Sequence, residues 1–170
     1  MQVEPATTAD LTAIREAYAH ARAIQQQQGS TVWPEFTDEA MLAEVSERRL
    51  FRVFGDGSLL GVFSVAYEDA AIWGELERGA HIYLHRIARS PTSHVTGLVD
   101  AVLAWARAEC KALGRSGLRM DTWSDNQALI AFYQRRGFDL VAHRRIEDDP
   151  RLPPHYHGRE FALLERACEG

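Results

Sequence analysis

Apolar residues recur along this chain in two rhythms, one close to 3.6 residues and one close to 2. Leu11, Ile14, Tyr18, Ala21 and Ile24 keep the first rhythm and predict a helix with one buried face. Thr8-Ala-Asp10 supplies its start, and Gln25 to Gln28 followed by Gly29 reads as an exposed last turn and a stop. Residues 2–5 ahead of it fit a short edge strand ended by Pro5. A loop over 29–36 holds Trp33-Pro34, and Trp33 reads either as a lid on the core, the favoured choice, or as part of a ligand pocket. Thr37-Asp38-Glu39 opens a second helix with Met41, Leu42 and Val45 on its inner face, ending near Arg48-Arg49.

Leu50 to Phe54 and Leu59 to Tyr67 read as two strands joined at Gly55-Asp56-Gly57-Ser58, a hairpin signal. The second is apolar at nearly every position, as a strand covered on both faces would be. The acidic stretch 68–79, with Trp73 inside it, reads as a surface connection. His81 to Arg89 is the next strand, with Tyr83, His85 and Ile87 on one face and Ile82, Leu84 and Arg86 on the other. A helix follows from about Thr96 to Leu113, with Leu98, Val102, Trp105, Ala106, Cys110 and Leu113 as its apolar stripe and Gly114 as its stop. Leu118 to Trp123 is a strand with Arg119, Asp121 and Trp123 on one face. Ser124-Asp125-Asn126 begins a short helix to Arg136. Phe138 to Ile146 and Glu160 to Glu165 close the set, separated by a polar, Pro-rich loop with His155, Tyr156 and His157.

The 170 residues suit one domain over 1–170, with a sizeable core. A formal net charge of −5 argues against a general nucleic-acid binder. It does not argue against a small anionic ligand, because backbone N–H groups hold phosphates without net positive charge. The two cysteines, Cys110 and Cys168, lack metal-ligand spacing and read as reduced thiols, and no metal site is expected. The first ten residues lack a signal-peptide pattern, and no stretch approaches the roughly 20 apolar residues of a membrane span. A cytoplasmic protein with no membrane partner is the expectation.

The chemistry gathers where the strand ending at Arg89 turns into the following helix. Such a turn presents unpaired N–H groups at the helix start, an anion site by geometry. Thr92, Ser93, His94 and Thr96 add side-chain donors, and Gly97 lets a ligand approach the backbone. Further on, Asn126 is followed by Leu129, Phe132 and Tyr133, then by Gly137-Phe138.

Those residues, at that spacing, resemble the GNAT superfamily of acyl-CoA-dependent N-acyltransferases. The upstream segment is similar in layout: a strand, a loop with Pro91, then His94-Val95-Thr96-Gly97-Leu98-Val99 where the family carries Arg/Gln-x-x-Gly-x-Gly/Ala. His94 replaces Arg or Gln, and Val99 replaces a small residue. The resemblance covers nearly the whole chain. It implies an α/β (α+β) fold with a mixed, mostly antiparallel twisted sheet of about six or seven strands flanked by helices.

It also implies acetyl-CoA as the acyl donor and a primary amine of a small molecule or protein as the acceptor, acetylated by direct attack. Tyr133 matches the family's general acid, and its other reading is a core aromatic. Amides of Ile87, Ala88 and Arg89 would hold the pantetheine arm and polarise the thioester. The turn from His94 and Val95 through Thr96, Gly97 and Leu98 to Val99 would hold the diphosphate. Asn126 would contact pantetheine or cap its helix. His85 is the candidate base, or else a satisfied half-buried histidine. Glu75 and Glu77 are further base candidates acting through water, or solvated charges. Tyr18, Trp33, Trp73 and the 155–157 loop would shape the acceptor side. The departures at His94 and Val99 leave a rival, a non-catalytic acyl-CoA-binding or regulatory module. A homodimer is common in such families, and no feature of the sequence selects it.

Overall fold

The computed structural model describes residues 1–150, 152 and 154–168. Arg151 and Pro153 of the Pro-rich loop lie outside them, as do Glu169 and Gly170. The strands are β1 (Gln2–Pro5), β2 (Leu50–Gly55), β3 (Ser58–Ala66), β4 (His81–Arg89), β5 (Gly117–Trp123), β6 (Asp139–Arg145) and β7 (Glu160–Ala167). The α-helices are α1 (Leu11–Gln27), α2 (Asp38–Ser46), α3 (Ala70–Trp73), α4 (Leu98–Ala112) and α5 (Gln127–Gln134). The strands form one seven-stranded sheet in the order β1-β2-β3-β4-β5-β7-β6. The sheet is mostly antiparallel, as expected; β4 and β5 are its parallel neighbours, with His81 opposite Gly117 and Tyr83 opposite Arg119.

The chain divides into two compact units, Met1–Val65 with Leu84–Ala106, and Ala66–Tyr83 with the chain from Arg107 onward. In the first unit the two faces of the hairpin bury different partners. Leu50 and Val62 join Ile14, Ala17 and Tyr18 of α1, Met41 of α2 and Ala88 of β4 in one cluster. Phe51 and Phe63, opposite each other across β2 and β3, stack at 5.4 Å and meet Trp105 of α4 at 4.4 and 5.2 Å. Trp33 packs against the first cluster beside Tyr18 and Phe36, as a lid on the core would. Thr37 caps α2 by accepting from the Ala40 N–H. Leu42, expected on the inner face of α2, is exposed instead. Met41 and Val45, four residues apart, take the inward stripe of this short helix, and Leu42 lies about a quarter-turn round from it.

In the second unit Trp73, Tyr83, Trp123, Ile146, Phe161 and Leu163 form the core. The stretch 68–79 is therefore more than a surface connection. Asp69 accepts from the Ile72 N–H to start α3, which buries Ile72 and Trp73, and a 3₁₀ turn over Gly74–Leu76 follows. The acidic residues at its ends mask this element in the sequence. Arg119 is buried here, with its guanidinium 4.2 Å above the Trp73 ring. It donates to Glu165 (2.7 Å), the Leu76 carbonyl (2.9 Å) and the Tyr83 hydroxyl (3.0 Å). A buried cation persists only when its donors are satisfied in this way.

The expectation of two reduced thiols is overturned. Cys110 of α4 and Cys168 just beyond β7 are joined in a disulfide across 58 residues of chain. Folding brings the two together from a helix and a strand end, a pairing that spacing alone does not encode. Closing a loop of this size contributes about 2–4 kcal/mol. Reduction should release two thiols, counted by thiol titration, and lower the melting temperature accordingly. An unchanged melting temperature with both thiols released would show that the bridge carries no stability.

Candidate functional site

The first unit builds a donor row from the end of β4 to the start of α4. Ser90 N–H donates to the Leu60 carbonyl at 3.0 Å, so Ser90 faces β3. Strand alternation then turns the N–H of Ala88 toward β3 and those of Ile87 and Arg89 away from it. The Ala88 side chain lies in the core. The described pairing of β4 with β5 ends at Tyr83.

The approach of β3 to this segment depends on Gly61. A Cβ there would stand 2.7 Å from the Ala88 carbonyl oxygen and 2.7 Å from the Leu98 side chain. An isolated glycine inside a strand is the sequence signal for such an approach, and it was available at Gly61.

After β4 the chain turns through its own hydrogen bonds. Ser93 N–H donates to the Ser90 carbonyl (3.1 Å), Val95 N–H to Ser93 Oγ (3.3 Å), and the Ser90 and Thr92 hydroxyls meet at 3.1 Å. Ser90 and Ser93 are buried, so the Ser93 hydroxyl, expected as a ligand donor, serves the turn. Gly97 takes φ +80°, a left-handed conformation that favours glycine, and only the Met1 side chain comes as near as 4.0 Å to where a Cβ would be. Ala101 of α4 donates back to Gly97 at 3.0 Å. The amides of Leu98 and Val99 precede it and have no helical partner of their own. The Leu98 side chain is buried, Val95 and Val99 are half-buried, and His94, Thr96 and Gly97 are exposed. With the dipole of α4 behind them, these amides are a donor set that fits a diphosphate.

His85 also lies in the first unit, half-buried on β4. The next residue, Arg86, has φ +50° in mid-strand. This left-handed residue is a local irregularity in the strand, while Arg86 and Ala88, two residues apart, both meet the cluster that holds Tyr18. No sequence signal marks a positive φ at an arginine.

Asn126 and Tyr133 lie in the second unit. Asn126 Oδ1 accepts from the Leu129 N–H at 3.2 Å, so its side chain caps α5. Tyr133 is buried, with Phe132 and Phe138 edge-on to its ring. Gly137, at φ +82°, turns the chain out of α5, and Phe138 N–H closes back on the Tyr133 carbonyl. Burial pushes the Tyr133 phenol up to about 12, with Arg136 pulling the other way.

Glu77 is not a solvated charge. It accepts from Tyr83 Oη and from the amides of Asp69 and Gly79. Burial pushes its carboxyl upward, but hydrogen bonds from Tyr83 and from backbone amides outweigh that and hold it below the usual carboxylate value. Trp73 belongs to the core rather than to a pocket.

With this geometry in place, comparison with known proteins gives a consistent answer. The model of the Acetyltransferase (GNAT) family matches residues 13–138, and the chain belongs to that family. It is 34% identical over 73 residues to an uncharacterized N-acetyltransferase, YesJ, of Bacillus subtilis (strain 168); the match spans 43% of this chain and 41% of that protein. The fold is similar to that of a GNAT-family acetyltransferase from Listeria monocytogenes 4b F2365, with TM-score 0.75, 19% identity, and 98% and 94% of the two chains covered. It is also similar to a Salmonella typhimurium protein solved with its cofactor acetyl-CoA, with TM-score 0.68, 17% identity, and 100% and 95% covered.

Two measurements test the site's supports. Gly61→Ala should cost about 1–3 kcal/mol by overpacking, read by chemical denaturation; a variant as stable as the parent would show that β3 and β4 can part freely. Alkaline absorbance titration should find Tyr18 and Tyr133 ionising near pH 12, since burial pushes both phenols up to about 12. Their neutral forms are the ones the fold accommodates. Stability is therefore complete below the ordinary tyrosine value and falls as pH rises from about 10 toward 12. Full ionisation of every tyrosine near pH 10 with the fold intact would refute this.

Proposed function

We propose that residues 1–170 act as a single N-acetyltransferase domain. It would move the acetyl group of acetyl-CoA to a primary amine of a small molecule or protein. What carries this reading, in a chain of this family, is the bond from Ser90 N–H to β3, from which strand alternation turns the Ile87 and Arg89 amides outward, followed by the helix start at Leu98 and Val99.

In this reading the Ile87 and Arg89 amides hold the pantetheine arm and polarise the thioester carbonyl. The turn from His94 to Val99 receives the diphosphate, with exposed His94 and Thr96 at its rim. His85 takes the proton that the amine loses as its nitrogen bonds to the acetyl carbon. As the carbon–sulfur bond breaks, Tyr133 gives its proton to the departing thiolate. A phenol pushed up to about 12 holds its proton at any working pH, and burial makes it a weaker acid than a free tyrosine. Asn126 fixes the start of the helix that carries Tyr133.

No helix among the described residues is long and apolar enough to cross a membrane. A cytoplasmic location belongs to this proposal.

Calorimetry with acetyl-CoA is the first test, followed by an acceptor screen. Saturable micromolar binding is expected. Tyr133→Phe should keep that affinity and lose about 10²-fold or more in turnover. No binding up to millimolar acetyl-CoA would overturn the proposal. Binding without turnover across a broad amine screen would instead identify a non-catalytic acyl-CoA-binding module.

A further inference from the structure

Arg86 is one of three residues other than glycine with positive φ among the described residues. The other two, Arg48 and Asp56, lie just past α2 and in the β2–β3 turn, where the chain reverses. Arg86 lies within a nine-residue strand. A side chain with a Cβ resists this conformation, so something must hold it there.

The surroundings of its guanidinium supply the hold. Nη2 donates to Glu44 of α2 and, at 2.8 Å, to the hydroxyl of Ser64 in β3; Nε reaches the same hydroxyl at 3.2 Å. The guanidinium carbon stands 4.7 Å from the centre of the Phe36 ring and 5.5 Å from that of Tyr18. Ser64 and Tyr18 are buried, and the Arg86 and Glu44 side chains are only 18% and 14% exposed. Groups from α1, the α1–α2 loop, α2 and β3 thus converge on one side chain. A planar, always-charged fork suits such a site better than a flexible ammonium.

We infer that Arg86 is a positioning residue for acyl transfer: its anchored side chain holds β4 in the left-handed conformation that aims the Ile87 and Arg89 amides at the acyl donor. The inference rests on the proposed acetyl-CoA reading. It assigns Arg86, Glu44 and Ser64 a role that involves no contact with the donor. If the anchor goes, an L-residue at position 86 relaxes toward ordinary strand geometry, and the alternation of the next residues shifts with it.

The test compares Arg86→Ala, Arg86→Gly and Ser64→Ala with the parent by two readouts. The first is the amide spectrum of the ligand-free protein. Ile87 and Arg89 signals should move in Arg86→Ala and Ser64→Ala, while those of β6 and β7 stay put. The second is acetyl-CoA affinity by calorimetry. Arg86→Ala should weaken binding at least tenfold. Arg86→Gly should recover part of that loss, because glycine adopts positive φ without an anchor. Ser64→Ala, a small change that leaves the Glu44 pair, should fall between the parent and Arg86→Ala.

A merely structural role predicts the opposite order, with glycine the worst for its larger loss of packing; that order would overturn the inference. So would unmoved Ile87 and Arg89 signals in all variants, whatever acetyl-CoA does. If those signals move but the parent binds no acetyl-CoA, the acyl-transfer reading fails, and the positioning role fails with it. If the parent binds and every variant binds equally well, only the positioning role fails.

Discussion

The constraint on which the site depends is the accounting of backbone N–H groups in β4. A strand inside a sheet gives its donors alternately to its two neighbours, and a donor that reaches neither must find water or a ligand. At its start β4 pairs with β5 through Tyr83, and at its end Ser90 pairs with Leu60 of β3. Between the two lies Arg86 in a left-handed conformation. The segment after it keeps Ala88 turned to β3 and leaves Ile87 and Arg89 turned outward. Gly61 makes the close side of this arrangement feasible, since any larger residue would strike both the Ala88 carbonyl and the first residue of α4. The strand, its neighbour and the helix start are therefore fitted to one another at a single point.

Charge is organised locally rather than globally. The chain carries a net charge of −5, yet its proposed ligand is an anion. Buried Arg119 and half-buried Arg86 and Arg52 are committed to carboxylates inside their own units: Arg86 to Glu44, Arg119 to Glu165, and Arg52 to Asp10 and Glu4. The donor row is made of amides and a helix dipole, which act at contact distance and are indifferent to the net charge of the surface. Arg89, exposed where β4 ends, adds a cation to that row.

What the sequence made legible follows from how each feature is encoded. The helix over Leu11 to Ile24, the hairpin at Gly55 to Ser58 and the strand-turn-helix around Gly97 rest on periodicity and turn chemistry, which are local, and the structure has them. The Asn126 to Phe138 pattern joins a cap, a buried tyrosine and a left-handed glycine on one short helix, so it too was readable. What escaped depends on partners distant in sequence. The acidic stretch around Trp73 is held by Arg119, Trp123 and Phe161, which lie far along the chain. The bond between Cys110 and Cys168 exists only after α4 and β7 are in place. The Arg86 side chain is held by groups from other elements, Glu44, Ser64, Tyr18 and Phe36 among them, and nothing next to it in the chain announces them.

The substitutions at His94 and Val99 bear on the rim of the loop more than on its donors. A helix start binds an anion through N–H groups that point along the axis, and these belong to every residue but proline. Replacing a small residue by valine leaves the amide of Val99 in place. The Cα–Cβ bond of a helical residue tilts toward the N-terminus, so the valine side chain leans to the ligand side and narrows the approach. Its half-burial shows that part of it is taken up by packing. His94 is exposed and puts a shorter ring where the family carries a longer side chain. In the proposed reading, affinity that an arginine or glutamine would supply at the rim comes here from the amides. That places more of the binding on the alignment of β4 with the first turn of α4, and so on the fit at Gly61 and Arg86.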